Sequence, residues 1–185
     1  MLDTLLCLSV PALIGAGSIG DNPAMANYEK AAEVVLSHEG AYVNDPDDSG
    51  GETNWGISRH SYPNEDIKNL TWERAKEIYR RDWWDAYGYA GFEDQKVAEK
   101  VFDLSVNMGA TQAHKLLQRA LRATGDAVKD DGKLGPATLG ASNRAVPAVL
   151  LAALRSEAAG YYRVLIALNP VRAKWENGWL LRAYA

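Results

Sequence analysis

The chain has 185 residues, with 24 acidic side chains against 20 basic ones and a net charge of −4. That length suits one domain, or one domain with a small appendage, and a hydrophobic content of 47% is enough to build a core. The acidic balance and the lack of any basic run argue against a nucleic-acid partner, and a single cysteine, Cys7, excludes an internal disulfide.

Residues 1–25 form an apolar N-terminal segment. Leu5 to Gly20 carries no charge but contains Pro11, Gly15, Gly17 and Gly20, which weaken a helix. It falls short of the ~20 residues that cross a bilayer comfortably. No basic residue precedes Lys30, so the positive start of an export signal is missing. Three readings are open: a releasable export or membrane segment, an apolar arm packed on the domain, or an extension with no role in the fold. Met25 opens "MANYEKAAEVV", which reads as the start of a compact domain.

A helix is predicted over Tyr28–Glu39, with Tyr28, Ala32, Val35 and Glu39 on one face and Gly40 as its stop. Residues 41–58 read as a loop or short hairpin from Asn44-Asp45-Pro46 and Ser49-Gly50-Gly51. The next helix starts at Thr71, a good N-cap, and runs to about Trp84 with Trp72, Ala75, Tyr79 and Trp83 inward. Val97, Val101, Leu104 and Met108 define another helix. Thr111 is expected to cap the one after it, with Leu116, Leu117, Ala120 and Leu121 inward. "DDGKLGPATLG" is a turn entering a helix, and a long helix covers Ala145–Leu168 before Asn169-Pro170. The expected fold is mainly α, with a small hairpin near 42–58.

The stretch "SHEGAYVNDPDDSGGETNWGIS" holds the chemistry. Glu39 continues the apolar stripe of its helix, which points it at the interior or at a cleft floor. Desolvation favours the neutral form of a carboxyl, and a neutral carboxyl can act as a general acid. Asp45, Asp47, Asp48 and Glu52 follow within the loop. An acid facing a second carboxylate across a glycosidic bond is what glycoside hydrolysis requires. A plain reading stands beside it: Asp, Asn, Gly and Pro are turn formers, and Glu39 can turn to solvent. A calcium loop fits Asp45, Asp47, Ser49 and Gly50 but fails where a bidentate Glu is needed, because that position is Gly56. His38, His60 and His114 lack metal-ligand spacing. No metal or cofactor is expected.

This stretch, followed by "LTWERAKEIYRRDWWDAYGY", resembles the family 108 glycoside hydrolases, lysozymes of phages and bacteria. Their hallmark is an E-G-G-Y segment whose Glu is the essential acid; here it reads Glu39-Gly40-Ala41-Tyr42, with Ala in place of the second Gly. "FDLSVNMGATQAHKLLQRAL", "DDGKLGPATL" and "KWENGWLLRA" are similar to the helical, predicted peptidoglycan-binding half of such chains. The resemblance implies a lysozyme-like helical domain, with a catalytic region at 26–91 and a peptidoglycan-binding region at 92–185 forming one compact unit. It implies an N-acetylmuramidase that cuts the β-1,4 bond between N-acetylmuramic acid and N-acetylglucosamine.

The resemblance makes Glu39 the acid. The spacing also echoes the wider phage-type lysozymes, in which an Asp and then a Thr follow the Glu. Asp48 therefore becomes the second carboxylate, with Asp45 and Asp47 as runners-up, and Thr53 a water-positioning residue. Asn54, rather than Thr53, occupies the exact Thr offset of that pattern. Spare acidity in the loop is expected to favour a protonated Glu39. Aromatic rings stack on sugar faces, so Tyr42, Trp55, Tyr62 and Trp84 are the expected substrate contacts, with Asn54 and Asn107 as polar ones. Trp83 is assigned to the core, and Trp175 and Trp179 to packing. Two other readings remain: a lytic transglycosylase, which needs one Glu and leaves an anhydro sugar, and a peptidoglycan-binding module without turnover. The expected setting is a monomer made in a host cytoplasm and acting in the periplasm on peptidoglycan to lyse the cell. Its N-terminal segment would give a transient inner-membrane tether.

Overall fold

A computed structural model of the chain describes residues 25–40, 42–44 and 51–185. The apolar segment before Met25, Ala41, and the acidic stretch 45–50 with Asp45, Asp47 and Asp48 lie outside these described residues. Among the described residues the protein is mainly α, with seven α-helices and one two-stranded hairpin. None of these helices is long and apolar enough to cross a membrane.

Helix α1 spans Tyr28–His38. The Asn27 side chain caps it by accepting from the Lys30 amide, and Ala31, Ala32, Val35 and Leu36 form its buried stripe. Glu39 lies one residue past the helix, in extended backbone (φ −88°, ψ 140°). It therefore does not continue the helical stripe as predicted. The hairpin pairs β1 (Thr53–Asn54) with β2 (Ile57–Ser58), Asn54 opposite Ile57, and Val43 bridges to Thr53. Its two-residue turn has positive φ at both Trp55 (51°) and Gly56 (73°), the geometry whose twist matches paired strands.

Helix α2, Trp72–Tyr79, is capped by Thr71 as expected. It then widens into a π-helical turn over Arg80–Asp85. The wider turn bonds one residue further along the chain and so displaces the side-chain register. In consequence Trp84, and not Trp83, follows Tyr79 into the core, at 2% exposure. Trp84 meets Phe102 edge-on at 5.5 Å and Tyr28 at 5.6 Å. Both tryptophan assignments made from the sequence are thereby reversed.

Helix α3 (Gln95–Met108) is the central element, with Val97, Val101 and Leu104 buried, and it packs against α1, α4 and α6. Helix α4 (Ala110–Ala123) follows across Gly109, whose φ of 87° makes the corner. Thr111 thus falls inside the first turn and is not the cap. Its stripe of Leu116, Leu117, Ala120 and Leu121 is fully buried. Helix α5 (Pro136–Arg144) follows the Asp130–Gly135 turn, and α6 (Pro147–Leu168) stops before Asn169-Pro170. A 3-10 turn, Pro170–Trp175, leads into α7 (Glu176–Tyr184), which packs back on α6. One continuous apolar cluster draws on α1 through α7.

Candidate active site

Glu39 leaves α1 just where the hairpin tip approaches, and its side chain is only 16% exposed. Oε1 accepts a hydrogen bond from Arg182 Nη2 at 2.7 Å. Oε2 lies above the backbone of Gly56: a Cβ placed on that glycine would come within 2.5 Å of both Oε2 and the Tyr79 hydroxyl. Gly56 therefore has two reasons to be glycine, its left-handed backbone and this close approach. Tyr79 donates from its hydroxyl to the Trp55 carbonyl at 3.0 Å, which ties the turn to α2. Burial, and then the charge of Glu39, push the Tyr79 hydroxyl far above the usual range, so it stays a neutral donor.

Gly56 and Tyr79 also line a cleft of about 230 Å³ shared with Ser61, Tyr62, Trp83 and Val106, among others. Glu39 is not itself a lining residue; its Oε2 packs against the Gly56 backbone, which does line the cleft. Tyr62 donates to Asp82 at 3.0 Å, and its hydroxyl is pushed up to about 12 by burial and by that carboxylate. Tyr62, Tyr79 and Trp83 give this cleft three aromatic lining side chains, the kind of surface on which a sugar ring can stack.

The other predicted contacts scatter. Trp55 sits beside Gly56 in the turn, with Nε1 donating to the Leu70 carbonyl and its ring edge-on to Trp72 at 5.2 Å. Asn54 is buried and spends its amide nitrogen on the carbonyls of Ile67 and Leu70, so it anchors the loop. Among the described residues, the Thr53 hydroxyl makes a long contact, 3.4 Å, to the Gly51 carbonyl. Tyr42 is exposed and donates to Glu52, which in turn pairs with Arg59 at 2.5 Å. The Arg59 and Tyr42 hydrogen bonds hold Glu52 below the ordinary carboxylate range, so the loop's fifth acid closes the hairpin. Asn107 accepts from Tyr162 at 2.6 Å on α3, one residue before the helix ends. Trp84 is buried in the core and does not reach the cleft; Trp83 does.

Sequence reasoning missed the partners of Glu39. Arg182 Nε donates to Asp103 Oδ1 at 2.9 Å while its Nη2 holds Glu39. Asp103 is 2% exposed at its side chain and also contacts His38 Nδ1 at 3.0 Å. Burial works to lower the guanidinium's proton affinity, but the charges of Asp103 and Glu39 outweigh it and raise it. The charge set against Glu39 by the described residues is therefore a cation, where the sequence suggested surplus negative charge. Arg182 lies 143 positions from Glu39, and no local pattern announces such a pair. Gly56 had a signal, a glycine after one residue in "TNWGIS" at a hairpin tip.

Residues 32–109 match the family model described as glycosyl hydrolase 108. Residues 112–184 match the one described as a predicted peptidoglycan domain. Among solved structures, that of Brucella abortus SagA is similar, with 27% sequence identity and a TM-score of 0.67 over 84% of this chain and 88% of that one. No curated protein matches at a significant level. The helical fold with its small hairpin is accordingly lysozyme-like. The chain thus carries a glycosyl hydrolase 108 domain followed by a predicted peptidoglycan domain, which together make it a glycoside hydrolase acting on peptidoglycan.

Proposed function

We propose that the protein is a lysozyme, an N-acetylmuramidase that hydrolyses the β-1,4 bond between N-acetylmuramic acid and N-acetylglucosamine, with Glu39 as the general acid. The observation that carries this reading is the position of Glu39 Oε2 against Gly56, a glycine that lines the same cleft as Tyr62, Tyr79 and Trp83. A glycan strand stacked on those rings would bring a glycosidic oxygen to Oε2. Proton transfer from a positioned acid contributes on the order of 10²–10⁴ to such a rate. The second carboxylate is assigned to the acidic stretch, Asp48 first and Asp45 or Asp47 behind it. The setting that follows is the periplasmic face of the wall, with lysis of the cell as the outcome.

The test is product analysis by mass spectrometry on purified Gram-negative peptidoglycan, with wild type beside Glu39→Gln. Reducing muramic acid ends from wild type alone are expected, with turnover in the variant down at least about 100-fold. Anhydro ends would mean a transglycosylase. Binding without products from either protein would mean a binding module.

A further inference from the structure

We propose that Arg182, on α7 in the peptidoglycan-binding region, is the positioning residue of Glu39: it holds Oε1 so that Oε2 is the oxygen offered to the cleft. This rests on the reading of Glu39 as the acid. Glu39 needs such a hold. Its backbone is extended and beyond the last turn of α1, so no helical neighbour fixes its rotamer. Among the described residues, the charged contact that orients its carboxylate comes from Arg182 Nη2, at 2.7 Å.

The arginine is itself built into place. Its Nε is fixed by Asp103, its side chain is 12% exposed, and its backbone carbonyl accepts from Lys100 Nζ. Ala183, the next residue, is fully buried, which stops α7 from swinging away. Asp103 also contacts His38, the residue before Glu39. One buried carboxylate thus ties both the arginine and the chain leading into the acid. The fork of a guanidinium can serve two carboxylates at fixed angles, and a lysine cannot.

The hold survives the proton transfer. With the proton on Oε2, Oε1 is the carbonyl oxygen of the acid and still accepts from Arg182. After the proton passes to the leaving oxygen, the same contact faces the carboxylate. The clamp therefore selects which oxygen reacts and stays closed in both states.

The rival account is that Arg182 only neutralises Asp103 and docks α7. Kinetics on purified sacculi, followed by release of reducing ends, separate the two. In Arg182→Ala, kcat should fall about 100-fold, the order of loss a misplaced catalytic group causes, with KM within about threefold of wild type. Sedimentation with sacculi should be unchanged, and added methylguanidinium should restore a large part of kcat. Arg182→Lys keeps a charge beside Asp103 and guards against simple unfolding; it should melt near wild type yet lose about tenfold in kcat, because an ammonium lacks the fork. The proposal is overturned if Arg182→Ala turns over at the wild-type rate while Glu39→Gln is inactive. It is also overturned if kcat, sacculus binding and melting temperature fall together and methylguanidinium restores none of them. Full activity in Glu39→Gln would instead remove the reading of the acid itself.

Discussion

Two polar clusters among the described residues are finished differently. Behind α4, Gln118 donates to Asp131 Oδ1, the Lys133 carbonyl and Thr138 Oγ1, and its own oxygen accepts from the Gly132 amide at 2.8 Å. His114 stands between the Gly132 carbonyl, 3.1 Å from Nδ1, and the Tyr89 hydroxyl, 2.9 Å from Nε2. Tyr89 in turn meets Ser105. This cluster is closed. Beside α1 the cluster is left open: Glu39 Oε2 packs against the Gly56 backbone, and Asp103 Oδ2 has no hydrogen-bond partner among the described residues. A satisfied network rigidifies, whereas an unsatisfied buried acceptor is a standing cost that stability alone does not explain. The closed cluster ties α4 to the turn before α5, and the open one ties α7 to the end of α1.

Mutations can test that division, and the largest effect should fall outside both clusters, on the aromatic core. Trp84→Ala empties an aromatic hole and should cost about 3–5 kcal/mol, read as a shift in the urea midpoint. The neighbouring Trp83→Ala should leave the midpoint nearly unchanged and raise KM. Equal stability losses in the two would contradict the register described for the π turn. Gly56→Ala comes next. The left-handed backbone costs an alanine about 1–2 kcal/mol, and its methyl must push Glu39 aside. Turnover should drop about 100-fold, as for a displaced catalytic group, with little change in binding to sacculi.

Smaller effects belong to the closed cluster. Gln118→Ala strands the Gly132 amide and should cost about 1–3 kcal/mol, with kcat per folded molecule unchanged. The gentlest probe is pH. Burial depresses His114 below its ordinary value of 6.5, so the folded protein keeps it neutral while the unfolded chain takes up a proton. The unfolded state then binds more protons as pH falls through that value and below, and stability decreases with it. His114→Gln should flatten this part of the stability profile, as measured by melting temperature between neutral and mildly acid pH.

The sequence made most of the frame legible, and the residues explain where it stopped. Leu116, Leu117, Ala120 and Leu121 repeat at helical spacing, and all are fully buried. Thr71 and the Asn169-Pro170 stop act as their chemistry dictates. A motif and a stripe single out Glu39, although its backbone leaves the helix one residue early. Trp83 and Trp84 were exchanged because a pattern with a period of 3.6 residues assumes an unbroken α-helix, and Arg80–Asp85 is not one. Arg182 was invisible because tertiary folding alone brings α7 to α1. Thr53 and Asn54 were chosen by offset, which says nothing about Asn54 spending its amide on Ile67 and Leu70.

The wide turn at Arg80–Asp85 also says something about which lengths of chain this site tolerates. A π turn holds one residue more than an α turn would, so it acts as a spacer. Removing any one residue from it would let α2 run on in regular register and carry the two tryptophans round by about one position. The ring that now plugs the centre against Phe102 would be swung out of its hole, and its neighbour would be withdrawn from the cleft wall. A one-residue deletion here would therefore injure the hydrophobic centre and the cleft wall together.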